Sequence, residues 1–318
     1  MKFDMHTNLG SFPGSETGGK VHNCTVGQLA EHINKHELTH AVVLYPYDGI
    51  KMLEELSTEV DAKLYGMQCA FFNHKPEFGH YPELGELELH TDHPLWAGMK
   101  WHSHRGYYNI NGEIQNGIDY GKGRLLNKVL KRLPKGSVNH LHTQGTASPY
   151  NTSSPMSIAN LAAKNPYLKF ILSHAGDYGP RAFTAKPSAI VGKDDKCSTL
   201  LGHLKHRMAV ASSVEVANTM HNVFLNASNF TVDKARILKG TKRWCVGTDI
   251  PFADAQYYDF GKEESDFFKF TGEQETLNGY RHALNFMERD MDYLLKVQKR
   301  YYNFSYVHAN DKPVKVKK

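Results

Sequence analysis

The sequence predicts a (β/α)8 barrel of the TIM type, and three observations carry that prediction. Eight short apolar runs with β-forming residues recur along the chain, and helical patterns separate several of them. No Gly-rich phosphate turn follows the first run: Gly10-Ser11-Phe12-Pro13-Gly14 does not match the fingerprint expected of an open doubly wound sheet, the alternative architecture. The chain, at 318 residues, modestly exceeds the usual barrel of about 250 residues. One barrel domain spanning 1–318, with enlarged loops after its strands, is therefore expected.

The runs are Phe3 to Thr7, Ala41 to Tyr45, Leu64 to Phe71, Ala97 to His102, Val138 to Thr143, Leu168 to His174, Asn222 to Ser228 and Trp244 to Thr248. Between the first two, Thr25-Val26-Gly27-Gln28 reads as a capping box opening a helix in which Leu29 and Ile33 recur at helical spacing. Between the fourth and fifth, Leu125, Leu126, Val129, Leu130 and Leu133 form an apolar stripe stopped by Pro134 and Gly136. Ser154 and Pro155 suit the N-cap and first turn of a helix that runs through Ile158, Leu161 and Ala162 to Asn165-Pro166. His104 to Gly117, Ala175 to Ser198 and Ile250 to Glu275 are too long and irregular for plain connectors. In a barrel all three lie on the catalytic face, as pocket walls or as surface insertions.

Composition narrows the function. A hydrophobic content of 40% supports a large core, and the formal charge of +5 is small for this size. Much of that charge can come from Lys312, Lys315, Lys317 and Lys318 in a short basic tail at about 309–318. No basic stripe interleaved with aromatics accompanies it, so nucleic-acid binding is not expected. The opening Met1-Lys2-Phe3-Asp4 lacks the pattern of a secretory leader, and no apolar stretch approaches a membrane span. The scattered Cys24, Cys69, Cys197 and Cys245 contain no C-x-x-C pair and suit reduced thiols in the cytoplasm. A homo-oligomer is compatible with this composition, although no diagnostic interface stripe stands out.

The 19 histidines are the more unusual feature, because several end strands. Strand alternation puts Asp4, His6 and Asn8 on one face, and likewise His140 with His142. The sixth run ends Leu172-Ser173-His174-Ala175-Gly176, and the eighth ends Gly247-Thr248-Asp249-Ile250-Pro251. One histidine at a strand end is usually a hydrogen-bonded structural residue. Barrel closure, however, gathers the ends of the first, fifth, sixth and eighth strands, and with them His6, His142, His174 and Asp249, around one mouth. Imidazole and carboxylate donors suit one divalent ion, zinc first, with manganese or magnesium as alternatives.

The endings Phe3-Asp4-Met5-His6, His142-Thr143-Gln144-Gly145, Leu172-Ser173-His174-Ala175-Gly176 and Val246-Gly247-Thr248-Asp249-Ile250-Pro251-Phe252 resemble those of the amidohydrolase-related family. Gly98-Met99-Lys100 and Tyr301-Tyr302-Asn303 extend the likeness over most of the chain. That family comprises metal-dependent hydrolases and decarboxylases built on a barrel. The resemblance implies that His6 and His142 bind metal, that Asp249 binds metal or handles a proton, and that His174 acts as acid/base or orients substrate. Asn8 is the departure, standing where family members usually carry a second histidine; its amide oxygen is a weaker, neutral ligand.

On the fourth strand Lys100, His102 and His104 share a face, with Arg105 beside them. They are candidate contacts to a small-molecule substrate, against the plainer readings of a lysine paired with a buried carboxylate and solvated loop residues. Asn226 and Ser228 end the seventh strand either as donors at the mouth or as caps of the next helix. Tyr107, Tyr108, Tyr257 and Tyr258 either flank a ring-shaped substrate or pack over the barrel top. Three functions fit: metal-assisted hydrolysis of an amide, ester or lactone, non-oxidative decarboxylation of an aromatic or enol acid, and a catalytically silent barrel used as a binding module.

Overall fold

Runs such as Ala41-Val42-Val43-Leu44-Tyr45, apolar at every position, suit strands covered on both faces, and all five residues are buried. The computed structural model describes residues 1–13, 21–46, 49–70, 88–101, 107–108, 114–115, 129–143, 155–176, 200–228, 230, 232–250 and 260–289. Eight of its strands form one sheet in chain order. They are β1 (Phe3–Asn8), β2 (His40–Tyr45), β3 (Lys63–Ala70), β4 (Trp96–Trp101), β5 (Val138–Leu141), β6 (Lys169–Leu172), β7 (Val223–Asn226) and β8 (Trp244–Cys245). Every neighbouring pair is parallel.

The last strand returns to the first. The Met5 N–H donates to the Val246 carbonyl at 3.1 Å, Asp249 N–H to the His6 carbonyl at 2.7 Å, and Asn8 N–H to the Ile250 carbonyl at 2.8 Å. The expected (β/α)8 barrel is thus the observed fold. Between the strands stand α1 (Val26–Lys35), α2 (Ile50–Glu59), α3 (Pro155–Lys164), α4 (Leu200–Thr219) and α5 (Val232–Leu238), with α6 (Phe260–Thr271) and α7 (Glu273–Glu288) after β8. The capping box at α1 is present: Thr25 Oγ1 accepts from Gln28 N–H at 3.2 Å, and Gln28 Oε1 accepts from Thr25 N–H at 2.9 Å. Pro155 opens α3, where its missing N–H removes no helical bond.

Several expectations shift. The segment 250–275, read as irregular, contains α6 and the start of α7. β6 stops at Leu172, because Ser173–Gly176 turns into a short 3-10 helix with His174 and Ala175 in the left-handed region. The apolar stripe at 125–133 lies mostly outside the described residues, as do Cys197, Tyr257, Tyr258 and the basic tail. Asp4 and His6 do not share a face. The β1 register slips between Asp4 and Thr7, a bulge that re-aims the chain. Asp4 meets His32 of α1, while His6 meets His140 and Asn226 inside the barrel.

Two further features hold the strands together. A Cβ on Gly98 would drive into the Val138 carbonyl, so the close pairing of β4 with β5 requires glycine there. At the β1 to β8 junction, Asp4 Oδ1 accepts from the backbone N–H of His6 at 3.1 Å and of Thr248 at 3.0 Å. Its Oδ2 accepts from Thr248 Oγ1 at 2.7 Å and meets His32 Nε2 at 3.2 Å. With Asp4 fully buried, Asp4→Ala strands these donors and is expected to lower stability by about 3 kcal/mol or more. Thr248→Val, which removes one hydroxyl, should lose only about 1 kcal/mol. Urea unfolding of both variants measures the difference, and equal small losses would show that Asp4 is not the clamp.

Candidate active site

The bulge in β1 and the closure of β8 bring His6 and Asp249 together. His6 Nε2 lies 3.0 Å from Asp249 Oδ1, and His174 Nε2 lies 4.0 Å from Asp249 Oδ2. The three side chains are buried, and one donor atom from each falls within 4.8 Å of the others. Tetrahedral zinc with bonds of about 2.0–2.1 Å sets its ligands roughly 3.3 Å apart. Two imidazoles and a carboxylate at these separations are a donor set that could hold one divalent ion.

Local backbone geometry aims two of the three. His174 has φ 56° and Asp249 has φ 61°, both in the left-handed region that non-glycine residues adopt at an energetic cost. Gly247 gives β8 access, since a Cβ there would strike the Asn226 amide and come within 2.9 Å of His6 Cβ.

The remaining groups fall around this centre. Asn8 Nδ2 donates to Asp249 Oδ1 at 3.2 Å and to the Ile250 carbonyl at 2.8 Å. A carbonyl only accepts, so the amide nitrogen of Asn8, and not its oxygen, faces the carboxylate. His142 Nδ1 lies 3.3 Å from His174 Nε2, one step further from Asp249. Lys100 is buried beneath the site, where its Nζ lies 2.9 Å from His140 Nδ1 and donates to Ser173 Oγ at 2.8 Å. His140 packs edge-on against His6 at 4.6 Å between ring centroids. His102, His104 and Arg105 lie outside the described residues.

His140 and Ser173 had no assigned role in the sequence. The signal was present as period-two spacing, because His140 precedes His142 on the same face. Asn226 and Ser228, two residues apart at the end of β7, both reach the histidines: Asn226 Oδ1 meets His6 Nδ1 at 3.2 Å, and Ser228 Oγ meets His174 Nδ1 at 2.8 Å.

Charge follows burial. Burial holds His174 well below the ordinary imidazole value, and the nearby His142, His6, Lys100 and Lys234 push the same way. His140 is lowered likewise, by burial first and then by the Lys100 charge. For Asp249, burial alone acts upward, but His6, Lys100 and the Asn8 amide outweigh it and bring the carboxyl below its usual range. Burial thus favours the neutral form of His140 and His174, while Asp249 is held as a carboxylate.

No protein-family model matches the chain, and no curated protein matches it in sequence. Solved structures do match in fold. One is a candidate 2-pyrone-4,6-dicarboxylic acid hydrolase from Pseudomonas putida, with TM-score 0.50, 15% identity, and coverage of 91% of this chain and 98% of that one. Another is amidohydrolase 2 from Bifidobacterium longum subsp. infantis, with TM-score 0.50, 13% identity, and coverage of 91% of this chain and 100% of that one. These structures share the eight-stranded parallel barrel fold of this chain. Among the described residues, no helix is long and apolar enough to cross a membrane.

The depressed histidines make stability depend on pH. In the unfolded chain His140 and His174 take protons near 6.5, whereas the folded protein resists protonation until well below that value. The unfolded state then binds more protons as the solution is acidified. Stability is fully present above pH 6.5 and falls below it, by up to about 1.4 kcal/mol per pH unit for each ring. Denaturant melts of the metal-free protein between pH 7.5 and 5 should show this slope. A flat profile would mean that both rings protonate freely in the folded state.

Proposed function

We propose that the protein is a metal-dependent hydrolase acting on an amide, ester or lactone bond of a small molecule. The observation that carries this reading is the buried convergence of His6, His174 and Asp249 at the mouth of the barrel. His6 Nε2, His174 Nε2 and Asp249 hold the ion in this reading, with His142 beside them. Zinc suits this donor set first, with manganese or magnesium as alternatives. Once bound, a divalent ion supplies Lewis acidity, polarising a carbonyl and lowering the pKa of water toward neutrality.

The protein's own groups do the rest. Asn8 donates to Asp249 Oδ1, leaving Oδ2 as the atom that takes a proton from the attacking water. The water oxygen bonds to the carbonyl carbon, the bond to the leaving nitrogen or oxygen breaks, and the proton held on Asp249 passes to that leaving atom. A carboxyl held below its usual range stays ionised, and so able to accept, across the neutral range. Asn8 serves this step by donating to the carboxylate. One structure similar in fold is described as acting on a pyrone, a cyclic ester, which falls within the proposed bond classes.

Elemental analysis after dialysis, paired with assays on ester, lactone and amide substrates in the presence of zinc or manganese, tests the proposal. The expected result is about one ion per chain, loss of that ion in His6→Ala, and a fall in turnover of about 100-fold or more in Asp249→Asn. Failure to bind zinc or manganese at any concentration tested would sink the hydrolase reading. So would release of carbon dioxide from an aromatic acid without consumption of water.

A further inference from the structure

Glu263 takes no part in the reading above, yet it is a buried acid, 3% exposed, on the face of α6 that meets the chain just after β7. Its Oε1 accepts from the Phe230 N–H at 3.3 Å, and the Phe230 ring meets Phe267 and Phe270 of the same helix at centroid distances of 4.9 and 5.6 Å. Its Oε2 is buried with no hydrogen-bond partner among the described residues. An ionised carboxyl there would leave charge on an oxygen that nothing solvates, whereas a neutral one can place a hydrogen on it. Two residues before Phe230, the Ser228 carbonyl accepts from Lys234 Nζ at 3.0 Å, and Lys234 is buried as well. One short stretch of chain is thus held at an N–H by Glu263 and at a carbonyl by Lys234.

The groups around Glu263 decide how readily it gives up a proton. Lys234 acts on it from α5 and Asp4 from β1, the latter engaged by His32 of α1, while Asp266 stands on α6 itself. On the α7 side, Tyr280 donates to Glu264. Burial raises the Glu263 carboxyl to about 8; the Phe230 N–H and Lys234 act downward, and Asp266 and Asp4 add to the rise. The segment it holds also carries Ser228, whose Oγ lies 2.8 Å from His174 Nδ1, so releasing that segment would loosen a contact of the candidate centre.

We propose that Glu263 and Lys234 form a proton-operated latch on the segment after β7, closed while the Glu263 carboxyl is neutral and released when its proton passes to solvent. The latch rests on this packing and not on the hydrolase reading. In the open form Glu263 reaches water and returns to its ordinary value of 4.5, so between 4.5 and about 8 the open form binds fewer protons than the closed one. A carboxyl raised in the closed form stabilises that form fully below the ordinary value, and the stabilisation is lost as pH rises toward 8. Opening therefore becomes about tenfold easier per pH unit across this window and levels off above it. The sign is opposite to that of His140 and His174, whose acid loss of stability should steepen in Glu263→Gln.

Hydrogen–deuterium exchange of the Phe230 amide in the metal-free protein reads the latch, because that hydrogen is the one Glu263 accepts. Each rate is divided by the rate in Glu263→Gln at the same pH, a variant that keeps an accepting oxygen, cannot ionise, and cancels the intrinsic pH dependence of exchange. The ratio should rise about tenfold per unit between about pH 5.5 and 7.5 and level off above about 8. At about pH 8 the Val42, Val43 and Leu44 amides of β2 should exchange at least about tenfold more slowly than Phe230. Carbon-13 NMR of the carboxyls, with Glu263 assigned by its absence from the Glu263→Gln spectrum, should show a midpoint of about 8, and Lys234→Met should move it higher. A ratio independent of pH, or a Glu263 midpoint in the ordinary carboxylate range, would overturn the latch, as would a midpoint that Lys234→Met leaves unmoved. Exchange of Phe230 no faster than that of β2 would also overturn it, since Glu263 would then act only on the stability of the whole fold.

Discussion

The junction of β1 with β8 is the constraint on which the site depends, and the buried carboxylate of Asp4 secures it. Asp4 reaches the His6 N–H on β1, the Thr248 N–H and hydroxyl just past β8, and His32 on α1, so one residue ties the first strand, the segment leaving the last strand and the helix layer. His6 lies on β1 two residues after Asp4, and Asp249 directly follows Thr248 in the segment that leaves β8. Their 3.0 Å approach is a consequence of barrel closure, not of any attraction strong enough to assemble the site unaided. A pair formed in water would be screened and weak; inside a closed barrel it is held in place by the ladder on either side.

Burying so many basic groups in one place creates an electrostatic problem, and the packing resolves it. His6, His140, His142, His174 and Lys100 cluster at the top of the barrel with one acidic group, Asp249, at the centre. Were the rings charged, their repulsion would be severe at low dielectric. Burial keeps His140 and His174 neutral, so the remaining positive charge favours the ionised form of Asp249. Neutral rings and one carboxylate are also the protonation states that a divalent ion requires of its ligands. The same packing that makes the fold tolerable thus keeps Asp249 ionised beside neutral His140 and His174.

Much of the architecture was legible in the chain because its signals are local. Strands buried on both faces read as continuous apolar runs, and the capping box at Thr25 and the proline at the start of α3 each act within one turn. The residues at the strand ends were also legible, since His6, His174 and Asp249 interrupt or finish apolar runs where a packed barrel has no need of polarity. Less legible was the direction in which they point. Simple alternation put Asp4 beside His6, but the slip in β1 register sends them to opposite sides of the strand. No pattern in six residues announces a bulge that depends on the neighbouring strand.

The sequence by itself determined the eight-stranded repeat, the strand ends that carry donor groups, and the chemical type of each donor, because these follow from hydrophobic periodicity and side-chain identity. Only the tertiary structure decided how those donors are shared. It set the His174 ring beside Asp249 with His142 behind it, turned the Asn8 amide nitrogen toward the carboxylate, and placed Asn226 and Ser228 against the far side of the histidines. The reason is physical: a hydrogen bond is fixed by distance and direction between atoms. The partners here lie as far as 241 residues apart in the chain, so nothing short of the closed barrel specifies them.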